Sequence, residues 1–369
     1  MALMAYSATM SAVNSFRENV RKAVVVRMSA IGDIILTLPV LDVLGKEFPR
    51  AEIHYVTKKE FAPLVTNHPA VARVWEFDPK SGPSGLLDIS RRLRQEDFDL
   101  FVDLHGSLRS TVMRLFSNAP IKRTYRKMSL LRSLSTLMRN DYLADAPPVC
   151  ARYLTALEDF GIGENKVVPR LHLGQKDREE ARTVLSENGI SQGDGFIAVA
   201  PGASYPTKMW SPEAFGTAAA KLSDGNTVVV LGGHSDRETA DRVVKKLEAE
   251  SVRAVDLSGR LSITGSAAVV EMAELLLAND SGLMHMAEAL ATPLVAVFGP
   301  TTRGLGFYPQ GDLAVVVEAH DLPCRPCTRH GDQRCPEGHH LCMEKIEVND
   351  VVDAARRVLS RFRDRGNAA

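Results

Sequence analysis

Short apolar, β-branched runs alternate along this chain with segments whose apolar residues recur every three to four positions. In the first half the runs at 23–28, 52–57, 71–77, 100–104 and 121–125 read as strands. The segments at 34–48, 86–95 and 107–116 read as helices between them. The pattern then restarts. Strands are predicted at 196–200, 227–231, 254–257, 274–278 and 294–298, with helices at 211–222, 236–250, 266–273 and 281–291, and a last helix at 349–363. Pro147-Pro148 and Gly161-Ile162-Gly163 punctuate a connecting helix. This βαβα order predicts an α/β protein with two Rossmann-like, doubly wound parallel-sheet domains facing a cleft. The expected layout is a flexible N-terminal extension over 1–20, one domain over 21–165 and a second over 166–345. A Cys-rich insert spans 320–345, and a C-terminal segment, 346–369, is expected to pack its helix back toward the first domain.

At 369 residues the chain exceeds what one hydrophobic core serves, which supports two domains. Lys+Arg and Asp+Glu balance at 45 each, so no whole-chain field points to nucleic acid. Residues 1–150 nevertheless carry 21 Lys+Arg against 15 Asp+Glu, and this half suits an anionic partner. No apolar run reaches the roughly 18–20 residues of a membrane span. Arg17, Arg21 and Lys22 follow the mildly apolar N-terminus, the wrong order for a secretory signal. Five cysteines in so long a chain do not suggest a secreted disulfide scaffold, and a cytoplasmic location is expected.

Candidate chemistry gathers where predicted strands empty into helices. Asp280-Ser281-Gly282-Leu283-Met284-His285 joins a buried run to a helix start, where free N–H groups favour phosphate. A capped helix explains Asp280 or Ser281 but neither Gly282 nor His285. The corresponding turn at 201–213 offers Ser204, Thr207 and Lys208 ahead of a helix opened by Ser211 and Pro212, a set suited to a diphosphate. Asp236 follows a third strand and is either a ribose contact or a helix cap. In the first half, the turn 29–33 places Gly32 and Asp33 at a helix start. Asp33 reads equally as a cap or as a carboxylate poised as general base. The three-glycine dinucleotide pattern is absent there.

Asp103 to Ser110 ends another strand and carries His105 and Arg109. Between 121 and 140 stand Lys122, Arg123, Arg126, Lys127, Arg132 and Arg139 with no acid, interleaved with Leu130, Leu131, Leu134, Leu137 and Met138. That is a basic amphipathic helix, fit for an anionic membrane surface or an acidic glycan, or else a packed surface helix with solvated charges. Asp97-Phe98-Asp99 reads as solvated surface. Cys324, Cys327, Cys335 and Cys342 have spacings compatible with structural zinc, with two disulfides, or with reduced thiols. In each case a structural clip is expected.

Five stretches carry a resemblance: RMSAIGDIILTLPVL at 27–41, DLHGSLRS at 103–110, PGASYPTKMWSPEAF at 201–215, NDSGLMHMAEAL at 279–290 and VAVFGPT at 295–301. In this order they resemble the bacterial lipopolysaccharide heptosyltransferases of glycosyltransferase family nine, and the Cys-rich insert looks closest to the heptosyltransferase II branch. The resemblance implies a GT-B fold, with the acceptor bound by the first domain and a nucleotide-diphosphate sugar, ADP-heptose, by the second. It implies inversion at the anomeric carbon with no cofactor or metal in the chemistry. Asp33 is then the base, and Ser204 and Lys208 hold the diphosphate. Asp280, Ser281, Gly282 and His285 contact phosphates and donor sugar, while Asp236 matches the ribose position loosely. His105, Arg109, Lys122, Arg123 and Arg126 are expected to meet a lipid-linked acidic acceptor at the cytoplasmic face of the inner membrane. Family members often show Thr-Thr where this chain has Ala203-Ser204, so one hydroxyl contact is missing. The alternatives are a related transferase using another nucleotide sugar, or a nucleotide-binding protein without turnover.

Overall fold

The computed structural model describes residues 19–160 and 167–366. Most of the N-terminal extension, Gly161-Ile162-Gly163 and the last three residues lie outside that range. The chain divides into two compact units. The first comprises the described residues through Lys127 together with Cys150–His172, and the second comprises Met128–Val149 and Leu173 onward. The chain thus crosses between the units three times, after Lys127, Val149 and His172. A 22-residue excursion joins the second unit before the chain returns to finish the first.

The first unit holds a five-stranded parallel sheet of β1 (Lys22–Val26), β2 (Glu52–Lys58), β3 (Val71–Phe77), β4 (Leu100–Asp103) and β5 (Ile121–Thr124), in the order β3-β2-β1-β4-β5. β1 and β4 are almost wholly buried, as strands covered on both faces must be. Asp99 is not solvated surface: its carboxylate accepts the N–H groups of Arg21 and Lys22 and pins the start of β1. The helix expected at 34–48 is two, Ile31–Ile35 and Leu38–Glu47. They are separated at Thr37, whose hydroxyl bonds the Ile34 carbonyl just before Pro39, a residue with no N–H to give.

The second unit holds β6 (Phe196–Ala200), β7 (Thr227–Val230), β8 (Ala254–Asp256), β9 (Leu275–Asn279), β10 (Leu294–Phe298) and β11 (Ala314–Glu318), in the order β11-β10-β9-β6-β7-β8, again all parallel. The strand β11 and the helix Gln175–Glu187 were not expected from the pattern. The helix Val348–Gly366 buries Val351, Val352, Ala354, Ala355 and Val358 in the core of this second unit, against β10, β11 and the helix Pro212–Ser223. Farther along the same helix Phe362 stays 46% exposed.

In each sheet the strand order reverses once. The reversal lies between β1 and β4 in the first sheet and between β6 and β9 in the second. The connections on either side of such a point diverge, leaving a crevice at the carboxyl ends of the strands. The singled-out turns 29–33 and 103–107 follow β1 and β4, and 201–211 and 280–282 follow β6 and β9.

Candidate active site

In the first unit Asp33 is the third residue of its helix, not the cap. Its Oδ2 pairs with Arg27 Nη2 at 2.6 Å and accepts the Ala30 N–H at 3.4 Å. Its Oδ1 accepts the Tyr153 hydroxyl at 3.1 Å. Arg27 is a charge inside an apolar strand end, and such a charge must be paired or hydrogen-bonded. Besides Asp33 it donates to the carbonyls of Ser29 and Leu104, the latter just beyond β4. Burial pushes the Asp33 carboxyl upward, but the Arg27 guanidinium, the Ala30 N–H and the Tyr153 hydroxyl outweigh it and hold it below its ordinary value. Tyr153, pushed up by burial and by Asp33, stays a donor. The site therefore offers an ionised carboxylate, 26% exposed and fixed from three sides.

Asp103, after β4, accepts the His105 and Gly106 N–H groups and shapes the turn that presents His105. Burial and then Arg27 depress the His105 imidazole to about 4, against the opposing pull of Asp103 and Asp33. A buried neutral His costs stability where the unfolded chain would protonate. Folding stability is expected to fall as pH drops from about 6.5 to about 4, by about 2–3 kcal/mol, and then to level off. Denaturant titration of wild type and His105→Gln across that range checks this, and the variant should lack that part of the slope.

Arg109 lies exposed in the first turn of the helix Leu108–Phe116. Lys122, Arg123 and Arg126, expected at the acceptor, each meet a partner within the first unit. Lys122 donates to the Ser117 carbonyl, and Arg123 and Arg126 pair with Asp159 and Glu158 of the returning segment. Acids distant in sequence meet this locally basic run, yet the Arg126 side chain stays 75% exposed.

In the second unit Lys208 Nζ meets Asp280 Oδ2 at 2.6 Å, with side chains only 12% and 5% exposed. The Thr301 hydroxyl, beyond β10, donates to the same carboxylate oxygen. Asn279 ties down the lysine loop at both ends: its amide donates to the Pro201 carbonyl and accepts the Trp210 N–H. Ser281 precedes the helix Gly282–Ala289, yet its hydroxyl makes no capping bond, and its buried Oγ has no hydrogen-bond partner. The first N–H groups of a helix have no partner within it, so a lysine, an unengaged hydroxyl and backbone donors share this edge. His285 is buried in the first helical turn. Ser204 is exposed in the loop. Asp236 acts as a loop cap, accepting the Gly233 N–H at 2.7 Å. It also fills the space beside Gly202, where any Cβ would meet its carboxylate within 2.7 Å.

The Cys-rich insert presses on this loop. Thr207 exchanges hydrogen bonds with the Asp332 backbone, and His340 bonds the Thr207 carbonyl. Arg325 reaches the Thr301 carbonyl and Glu318. Burial, and then neighbouring thiols, raise Cys327 to about 11 and Cys342 to about 12. The five cysteines are free. Among the described residues only Asp42, His68 and His172 bring three ligand atoms within 4.8 Å of one another. Cys324 and Cys335 lie near enough to Cys327 and Cys342 to raise those two thiols, and hydrogen bonds clip the segment to the loop. Gly331, at φ +99°, leaves no room for a Cβ, which would sit 2.7 Å from the Tyr205 Cβ and 2.8 Å from the Lys208 Cδ. Gly331→Ala is expected to displace the Lys208 loop and to destabilise by about 1–3 kcal/mol. Thermal melts of the two proteins check this.

Two doubly wound units, each with a charged cluster at its strand-order reversal, define an α/β protein whose candidate ligand sites lie beyond the carboxyl ends of the strands. The chain matches Glycosyltransferase family 9 (heptosyltransferase) over residues 86–336; it belongs to that family and is a glycosyltransferase. It is 27% identical over 325 residues to lipopolysaccharide heptosyltransferase 1 of Pseudomonas aeruginosa, covering 84% of this chain and 86% of that one. A glycosyl transferase family 9 structure from Veillonella parvula superposes with a TM-score of 0.77 at 24% identity, over 93% of this chain and 98% of that one. The E. coli ADP-heptose lipopolysaccharide heptosyltransferase II structure gives 0.71 at 21%, over 93% and 99%. Both structures share the GT-B fold expected from the motifs. Arg27, Tyr153, Asn279 and Thr301 had not been singled out. Arg27, Asn279 and Thr301 stand within the resembling stretches, whereas Tyr153 has no local signal.

Proposed function

We propose that this chain transfers heptose from ADP-heptose to the lipopolysaccharide inner core, with inversion and with no metal in the chemistry. The observation that carries the reading is the buried Lys208–Asp280 pair beside the unengaged Ser281 hydroxyl and the start of the helix Gly282–Ala289. That group is complementary to a diphosphate. The relatives named for heptose transfer support the sugar and the acceptor.

In the proposed reaction an acceptor hydroxyl attacks the anomeric carbon as the bond to the diphosphate oxygen breaks. Negative charge grows on the leaving phosphates. Lys208, released from Asp280 toward the phosphate, meets that charge together with Ser281 and the helix N–H groups, the role a divalent cation plays elsewhere. Asp280 keeps its Thr301 hydrogen bond meanwhile. Asp33 takes the acceptor proton. With a depressed pKa it is a weak base toward a free alcohol, so it acts as the oxygen acquires positive character. Ser204 is a further diphosphate contact, Asp236 and His285 face the rest of the donor, and His105 and Arg109 meet the acceptor. The lipid-linked acceptor places the reaction at the cytoplasmic face of the inner membrane.

The test is transfer measured with ADP-heptose, UDP-sugars and GDP-sugars, each with and without EDTA. The reading expects product from ADP-heptose, undiminished by the chelator. Turnover with another nucleotide sugar alone, or complete loss in EDTA, refutes the donor or the metal-free chemistry respectively.

A further inference from the structure

We propose that the helix Ser129–Met138 is an interfacial anchor that lays a leucine face into an anionic lipid bilayer. This rests on the lipid-linked acceptor of the proposed function and names the element that reaches the lipid.

The helix is inside out. Leu130, Leu131, Leu134, Leu137 and Met138 are spaced to share one face, and that face is exposed: Leu130 to 81%, Leu137 to 78% and Met138 to 58%. Polar residues lie on the inward side instead, although Ser129 at its start is exposed. Ser135 is fully buried, and the Arg132 guanidinium lies 5.4 Å from the centre of the Phe307 ring. A surface helix of a soluble protein has the opposite orientation, with its apolar stripe on the core. No described helix is long and apolar enough to cross a membrane. At ten residues this one is about 15 Å long, enough to lie in the plane of the interface.

The charges fit the same occupant. Arg126 and Lys127 immediately precede the helix and Arg139 immediately follows it, with no carboxylate between 121 and 140. Arg126 and Arg139 have ion-pair partners in Glu158 and Glu337, yet their side chains stay 75% and 43% exposed. Exposed pairs of that kind are weak, so both cations remain open to lipid phosphates. The stripe itself holds only Leu and Met. The centre of a protein–protein contact favours Trp, Tyr and Arg, and none stands on this face.

The full chain is tested by flotation with vesicles of phosphatidylethanolamine and phosphatidylglycerol. Wild type is expected to float with them, and Leu130→Ser with Leu137→Ser to lower its partition about tenfold or more. Because both leucines are exposed, the melting temperature and transfer to a soluble, deacylated acceptor should be unchanged. Equal flotation of the two proteins overturns the anchor. A wild-type dimer that the double variant converts to monomer, with neither protein floating, assigns the face to a second copy and also overturns it. Flotation lost in the variant by a protein that transfers no heptose at all supports the anchor while refuting the proposed function.

Discussion

Asp33→Asn is expected to lower heptosyl transfer by about 10²–10⁴-fold while leaving ADP affinity unchanged. The amide is isosteric and can still accept from Tyr153, so the helix start should keep its shape. What is lost is the charge, and with it the capacity to take a proton. Arg27 then loses its anion in a buried setting. An accompanying loss of about 1–3 kcal/mol in stability is expected, so folded fraction must be measured beside rate. The pH dependence follows from the depressed pKa. The ionised form is the active one, and the Arg27 and Tyr153 contacts that favour it also stabilise the fold. Both contributions persist at neutral pH and fade only as pH falls below the ordinary carboxylate range of about 4. An acid limb of kcat/KM near pH 6 that vanishes in Asp33→Asn contradicts this, as does unchanged turnover in the variant.

Lys208→Ala is expected to reduce kcat by about 10²–10³-fold and to weaken ADP binding, because the ammonium is assigned to the charge that grows on the leaving phosphates. The same change leaves Asp280, which is 5% exposed, with the Thr301 hydroxyl as its side-chain partner. Removing one partner of a buried pair costs about 3–5 kcal/mol. The double variant Lys208→Ala with Asp280→Ala separates the two effects. It should recover much of the stability, since no unpaired charge remains, and recover none of the transfer. Rates that return along with stability would show that the lysine only holds the loop in place.

Both sheets were readable from alternation, because parallel strands buried on two faces leave unbroken apolar runs such as Leu275–Asn279. The β11 strand, equally apolar, was passed over because it borders an irregular segment with no helix before it. Turn residues at strand ends were readable for the same local reason: Asp33, Lys208 and Asp280 each follow a recognisable strand. Their partners were not. Tyr153 lies 120 residues from Asp33, and Thr301 lies 21 from Asp280. No periodicity encodes such pairings; they arise when strands from separate parts of the chain become neighbours. Local charge is likewise set in part by distant residues. The run 121–140 is basic in sequence, but Asp159, Glu158 and Glu337 come to it from elsewhere. Its amphipathic spacing gave the helix but not its orientation, which depends on whether Phe307 and its surroundings receive leucine or arginine. Segment 324–342 is positioned by Thr207, Asp332 and Arg325, a set visible only once the loops meet.

A crystal structure of the chain with ADP tests the central claim most directly. The diphosphate should lie at the start of the helix Gly282–Ala289, within hydrogen-bonding distance of Lys208 Nζ and Ser281 Oγ. A diphosphate seated instead at the Gly32 turn of the first unit, with Lys208 still paired to Asp280, would contradict it.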